Sequence, residues 1–373
     1  MHISHSNFQN ITGSSHEIAV DKSHSQFDSH SVSSSIFKNC QNVLCGFIFD
    51  HNRAKKFSSF NSTYSHIHNF LKPETYSETQ TETSSFDSDS FFSCSSENAG
   101  GAIHLSKQSS LTVNNCVFDS CSSTVRAGAI YYTSTDYYTE FKVSLSNFTY
   151  CSAEMFAGAI ESSSGRFDFF SDRFLSCSAL PSDSSSSLTT CGGAMLLTIR
   201  ESDPSSKLYN LYFQRCKSTS GGGVYFYVYL SSLSFSYITF DSCSAATGGA
   251  IALYGNQSVT FSHTVFTKNS ATDHGNDVFS KMQGTLKFND SFDVCSTTNT
   301  AESVYYLDQL YFPMNDRTDA TGYDPKIVID SSDDNNSKTP KFNYKVFIYL
   351  GIVIAILAVM AVFIICCCRV HKN

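Results

Sequence analysis

The side chains that could do chemistry are fourteen cysteines, twelve histidines and a set of regularly placed aspartates. Eight of the cysteines are spread out at a repeating interval. Cys40, Cys94, Cys121, Cys151, Cys177, Cys216, Cys243 and Cys295 each follow a phenylalanine by three residues: Phe37, Phe91, Phe118, Phe148, Phe174, Phe213, Phe240 and Phe292. A ninth phenylalanine, Phe266, is followed at the same distance by Asn269. Redox and zinc pairs place their cysteines a few residues apart in sequence; this spacing instead describes a column. Copies stacked as neighbouring strands lie about 4.8 Å apart, inside the Cα window of a disulfide. Distance alone therefore permits bridges such as Cys121 with Cys151. Stacked residues carry parallel Cβ vectors, however, which suits the bridge dihedral poorly, and cysteine is among the most buried residue types even when free. The column is expected to pack.

The other reactive groups are weaker candidates. Asp119, Asp241 and Asp293 each follow a motif phenylalanine by one residue and form an outward column. A glycosidase pair needs carboxyl groups about 5–9.5 Å apart, and two coil steps between Asp241 and Asp293 give about 9.6 Å. The same slot is Thr149, Leu175, Gln214 and Thr267 in other copies, and no general-acid environment is visible. Eight histidines fall in the first 68 residues, including His66-Ile67-His68. Residues two apart on a strand share a face, but no cysteine or carboxylate completes a tetrahedron. The chain has no Gly-x-Ser-x-Gly, no His-Glu-x-x-His and no phosphate loop. We expect no enzyme, no metal and no cofactor.

The elements that carry these residues follow from the interval. The motif phenylalanines are separated by 54, 27, 30, 26, 39, 27, 26 and 26 residues. The first gap is twice 27, so the sequence implies a decayed copy near Tyr64. A glycine block keeps the same beat: Gly100-Gly101-Ala102-Ile103, Gly128-Ala129-Ile130, Gly158-Ala159-Ile160, Gly192-Gly193-Ala194-Met195, Gly221-Gly222-Gly223-Val224 and Gly248-Gly249-Ala250-Ile251. Between blocks, apolar residues alternate, as at Phe141/Val143 and Leu233/Phe235, which is the period of a strand. Self-similarity at this interval marks a solenoid or array. About 27 residues at 3.3 Å each give roughly 90 Å of backbone, one three-sided turn of a parallel β-helix. Glycine is expected to supply the unusual dihedrals of a corner. Phe and Cys can both point inward only if the chain bends between them. The prediction is an all-β, single-stranded parallel β-helix of about ten coils over residues 30–312, with internal Phe and Cys stacks.

These motifs resemble a known family. Gly-Gly-Ala-Ile with Phe-x-x-Asn is the paired signature of polymorphic membrane protein repeats, found in chlamydial adhesins and trichomonad surface proteins. The resemblance covers roughly residues 30–310. Cysteine replaces the family's usual asparagine in all copies but that of Asn269. The resemblance implies a right-handed β-helix exposed on a cell surface, with adhesion as the commonest role.

Residues 1–80 read as degenerate N-terminal coils, and 81–312 as regular repeats. Residues 313–345 are a polar stalk, 346–368 a transmembrane helix and 369–373 a short cytoplasmic tail. Val346 to Cys368 holds twenty-three residues without a charge. As a helix it is about 35 Å long, enough to span a bilayer core. Arg369 and Lys372 favour a cytoplasmic tail. Met1 to Ser6 lacks the basic start and apolar run of a signal peptide. Either the true start lies upstream, or the C-terminal segment directs the chain; tail anchoring would put the β-helix in the cytosol. Six Asn-x-Ser/Thr sequons, at Asn10, Asn61, Asn147, Asn256, Asn289 and Asn335, favour the outside of the plasma membrane. Cys366, Cys367 and Cys368 are candidates for palmitoylation.

Net charge is −8 with no basic cluster in the repeats, which argues against a nucleic-acid partner. The expected partners are the membrane itself and a protein or glycan on a host or neighbouring cell. Two insertions lengthen coils: the serine-rich Pro181 to Thr190, read as a spacer, and Thr133 to Glu140. Tyr131, Tyr132, Tyr137 and Tyr138 around the second make it the candidate binding loop, since tyrosine is enriched at interfaces. A membrane-tethered polysaccharide lyase or hydrolase is the rival reading, and a structural coat protein a third.

Overall fold

A computed structural model describes residues 2–9, 29–38, 56–69, 82–106, 109–134, 139–164, 166–182, 188–199, 206–228, 233–282, 286–289, 304–306 and 328–329. Every named element among them is a strand, and every pairing is parallel. One turn shows the plan. A first wall, Ser109–Asn114, leads to a second, Val117–Asp119, then to a two-residue third, Ser122–Ser123, then to a fourth, Ile130–Thr133. The next turn repeats the series as Glu140–Ser144, Asn147–Thr149, Ser152–Ala153 and Ile160–Ser164. Like walls pair in register: Leu111 with Phe141, Phe118 with Phe148, Ile130 with Ile160. The chain is an all-β parallel solenoid of about seven turns. The complete turns run from Glu82 to Met282, and earlier coils add partial turns such as Ser29–Ser33 with Ile36–Lys38. The turn is thus four-walled rather than three-sided, because the short run after the cysteine pairs as a sheet of its own.

Three of the corners are made by single left-handed residues. In the turn above these are Asn115, Ser120 and Ala127, with φ of 52°, 56° and 53°. Among the described residues no member of the first two corner columns is glycine: Leu145, Tyr150, Arg215 and Tyr237 all hold this conformation. Glycine alone therefore does not make the corners. In the glycine block the two positions do different work. The first is the left-handed corner, Gly100 or Gly248 in some turns and Ala127 or Ala157 in others. The second is glycine in all six blocks because the next coil is too close. A Cβ on Gly128 would sit 2.2 Å from the Gly158 carbonyl oxygen, and one on Gly222 would sit 2.1 Å from that of Gly249.

The bend between Phe and Cys falls on the second corner, and both side chains point inward. Phe91, Phe118, Phe148 and Phe174 are wholly buried and stack at 4.7 to 4.8 Å between ring centroids; Phe213 and Phe240 continue the stack at 4.8 Å and Phe266 at 5.5 Å. The altered copy near Tyr64 is present as a coil, with tyrosine in the phenylalanine slot. Tyr64 stacks between Phe37 and Phe91 at 5.1 and 4.9 Å, and its hydroxyl meets the buried Ser59 hydroxyl at 2.9 Å. Ile67 takes the cysteine slot of that coil and is 1% exposed.

The cysteine ladder, Cys94, Cys121, Cys151, Cys177, Cys216 and Cys243, is fully buried. Each thiol lies against the carbonyl of the phenylalanine-slot residue one coil earlier, as Cys121 Sγ does against Phe91 O at 3.6 Å and Cys151 Sγ against Phe118 O at 3.6 Å. Asn269 makes the same contact with a stronger donor: its Nδ2 donates to Phe240 O at 3.2 Å, while its Oδ1 accepts from Cys243 N at 2.9 Å. Cysteine thus keeps asparagine's donor role in weaker form and gives up its acceptor role. None of the eight described cysteines is in a disulfide. Burial pushes the thiols of Cys94, Cys151, Cys177 and Cys243 well above their ordinary pKa.

A second interior column lies just after the first corner and is largely polar. Ser62 N donates to Asp89 Oδ1 at 2.7 Å, and Ser146 N donates to Asp172 Oδ1 at 2.9 Å. The Oδ2 atom of each aspartate is buried without a hydrogen bond. Burial is the largest cause that raises both carboxyls, Asp89 to about 7 and Asp172 well above 3.8. A neutral carboxylic acid is the form that such a position tolerates.

Candidate functional site

The outward residues of the fourth wall follow the glycine block, and the tyrosine insertion starts there. Tyr131 points outward, 4.9 Å from the His104 ring, with the Arg126 guanidinium 5.4 Å from its own ring. Arg126 also covers Phe156 and forms a two-pronged pair with Glu161, in which Nε donates to Oε2 at 3.0 Å. Burial pushes the Glu161 carboxyl up against the pull of Arg126. Tyr132 faces the interior, wholly buried, with its ring 4.7 Å from Phe141. It belongs to the core and cannot serve in a binding loop. Tyr137 and Tyr138 lie outside the described residues. Further along this wall the outward row becomes apolar. Leu196, Tyr225, Ala252 and Phe279 bury one another with Ala157 and Cys191, and Phe156, Tyr227 and Tyr254 pack on top. The Tyr225 hydroxyl donates to that of Tyr227 at 2.9 Å. These aromatic side chains form a small second core outside the coil and leave little surface for a ligand.

A run of exposed aromatic side chains lies elsewhere, along the first corner, while the isolated Tyr150, 62% exposed, sits at the second. Phe170, Tyr209 and Tyr237 are 44%, 41% and 48% exposed. Phe170 stacks on Tyr209 at 5.7 Å, Tyr209 tilts against Tyr237 at 5.1 Å, and Tyr237 stacks on His263 at 4.5 Å. Phe170 and Tyr209 end first-wall strands, whereas Tyr237 and His263 are the left-handed corner residues one position later. The corner turns the two columns into one strip crossing four turns. Beside it Asn210 Nδ2 donates to Ser171 Oγ at 2.8 Å, and Arg173 covers the Tyr212 ring at 5.5 Å on the second wall. Sequence reasoning missed this strip because it follows no single register column.

The remaining candidates fall as follows. Asp119 and Asp241 are outward on the second wall, as expected, but four coil steps separate them through Thr149, Leu175 and Gln214. Four steps are about 19 Å, too far for a glycosidase pair. Asp293, Phe292 and Cys295 lie outside the described residues, as do Asn10, Asn335, residues 313–327 and 330–373, and with them Cys366, Cys367 and Cys368. Asn61 and Asn256 are exposed and Asn147 is half-buried on the second wall; Asn289 ends a first-wall strand. Among the described residues no group of three His, Cys, Asp or Glu could hold a metal ion, and no helix is long and apolar enough to cross a membrane.

Fold and surface together define a class, an all-β parallel solenoid with a closed interior and chemically varied outer faces. No family model, curated protein or solved structure matches the chain.

Proposed function

We propose that the chain is a membrane-anchored cell-surface protein of the polymorphic membrane protein type, its right-handed β-helix acting as a binding or adhesive ectodomain. The uncharged segment 346–368 is its anchor and 313–345 its stalk. One observation carries the adhesive reading: the exposed strip Phe170–Tyr209–Tyr237–His263, held on a rigid parallel sheet. Exposed aromatic patches of this kind mark interaction sites, and tyrosine is a frequent hot-spot residue. The interior is filled by packed, mostly apolar side chains, so recognition falls to the outer faces. Several copies on one surface add avidity to weak single contacts.

The test displays the full chain on cells and measures attachment to target cells. Tyr209→Ser with Tyr237→Ser is expected to lower attachment at least tenfold, since hot-spot aromatics contribute more than about 1 kcal/mol each. Attachment equal to the parent would refute the reading. Protease shaving of the same intact cells should release solenoid fragments, and full protection of the solenoid would refute the orientation.

A further inference from the structure

Matching nine-residue stretches cross the second wall and both its corners in successive turns. In 87–95, 114–122 and 144–152 the outward charged residues are Asp87 and Asp119, with no Lys or Arg. In 170–178, 209–217, 236–244 and 262–270 they are Arg173, Arg215, Lys217 and Lys268 against Asp241. From Asp87 to Ser270 the face therefore goes from −2 to +3 (four cations less one carboxylate), in a chain whose net charge is −8; further back the same wall carries one exposed cation, Lys38. The four cations are exposed and none is within ion-pair distance of a carboxylate among the described residues, although Lys268 is near enough to Asp241 to help hold its carboxyl low. Asp241 is already engaged: Gln214 Nε2 donates to its Oδ2 at 2.7 Å and the Ser242 hydroxyl to its Oδ1 at 2.9 Å. The aromatic strip runs along the edge of this basic face. Arg215 and Lys268 share a corner column two coils apart, so their charges repeat at about 10 Å along the axis.

We propose that this face docks an anionic polysaccharide, a glycan carrying sulfate or carboxylate groups; this deepens the adhesive reading and rests on it. Charge complementarity selects a polyanion. The strip selects a glycan over a nucleic acid. Nucleobases bind by stacking on a free aromatic face, but here two of the three ring contacts are face to face, Phe170 with Tyr209 at 11° and Tyr237 with His263 at 6°, and the third, Tyr209 with Tyr237, is tilted at 56°, so only part of the ring faces is open. What the strip offers outward is ring edges, phenol hydroxyls, and the amide and hydroxyl of Asn210 and Ser171, which suit sugar hydroxyls.

The test measures binding of the full chain to heparin, to neutral dextran of similar length and to single-stranded DNA. Heparin is expected to bind at least tenfold tighter than either of the others, and less tightly as salt is raised, since exposed charges are screened. Arg173→Ser/Arg215→Ser/Lys268→Ser should weaken heparin binding at least tenfold. Arg173→Lys/Arg215→Lys, which keeps the charge, should stay within about threefold and controls for folding. Dextran or DNA binding as tightly as heparin overturns the proposal, as does a triple variant that binds like the parent. Soluble heparin should also block attachment of displaying cells. If it does not, while Tyr209→Ser/Tyr237→Ser still abolishes attachment, the glycan proposal fails and the adhesive reading stands.

Discussion

Replacing Gly222 with alanine tests the geometry that sets this solenoid's turn. The added Cβ would lie 2.1 Å from the Gly249 carbonyl oxygen, 2.6 Å from Ser244 O and 2.7 Å from Ser244 N. All three are backbone atoms, so no side chain can swing away. A tolerable contact needs the coils to part by about 1 Å, since carbon and oxygen rarely approach closer than roughly 3.2 Å. The bonds that hold them are Gly222 N to Gly248 O at 3.0 Å, Gly223 N to Ala250 O at 2.8 Å and Val224 N to Ala250 O at 3.0 Å. Loosening two or three buried backbone bonds, at about 1–3 kcal/mol each, costs roughly 3–6 kcal/mol. Ala157→Gly is the matched contrast at the other position of the motif. It relieves a left-handed alanine at φ 53°, worth about 1 kcal/mol, but gives up a buried methyl worth about 0.8 kcal/mol. That variant should lie within about 1 kcal/mol of the parent. Urea unfolding followed by far-ultraviolet circular dichroism and tyrosine fluorescence suits a chain without tryptophan. A Gly222→Ala variant less than 1 kcal/mol below the parent would refute the close-approach argument.

Other outcomes follow from the interior. Asp89 has its folded pKa raised to about 7 from 3.8, so the native state holds a proton that the unfolded chain releases, and this contribution fades as pH rises from about 4 to 7. The parent should lose roughly 2–3 kcal/mol relative to Asp89→Asn between pH 5 and 8, read from urea midpoints. The comparison with Asp89→Asn is needed because His104, lowered to about 4 by burial, contributes stability of the opposite pH slope between about 4 and 6.5. The six ladder cysteines should be unpaired by non-reducing mass spectrometry and resist thiol reagents until denaturant is added; extensive pairing would overturn their packing role. Tyr64→Phe should cost about 1 kcal/mol, because the buried hydrogen bond between the Tyr64 and Ser59 hydroxyls is lost; an unchanged urea midpoint would contradict that.

The stacking of coils was legible because the repeat writes each interior column at a fixed interval: Phe118, Phe148 and Phe174 stack where the spacing puts them, and Cys121, Cys151 and Cys177 follow round the corner; the fourth wall was not, because Ser122–Ser123 and its mates are only two residues long. Tyr132 could have been placed inward by the alternation Ile130-x-Tyr132, a signal overshadowed by its tyrosine neighbour. The corners were harder to read. A left-handed residue announces itself when it is glycine or asparagine, as at Asn115, but Leu145, Tyr150 and Tyr237 hold the same conformation under the demand of the stacked coils around them. The exposed strip depends on those corners, because Tyr209 and Tyr237 occupy different columns and become neighbours only where the chain turns. Asp89 and Asp172 carry no sequence mark of burial; the residue after a left-handed corner points inward whatever its type.

The inter-coil hydrogen bonds also decide how the protein bears load. In a parallel solenoid they run along the long axis, so tension applied between the two ends acts along each bond rather than across a row of them. Coils loaded this way peel one after another instead of shearing together, and each step costs only one interface. The same stack resists compression and sideways bending, since the rings from Phe37 to Phe266 are already in contact. Such a rod stands firm under crowding yet yields in small steps under pull, extending by up to one coil's contour of roughly 90 Å each time. A force trace of the chain should show a ladder of low steps of similar length, with a longer one for the coil that holds the insertion Pro181 to Thr190.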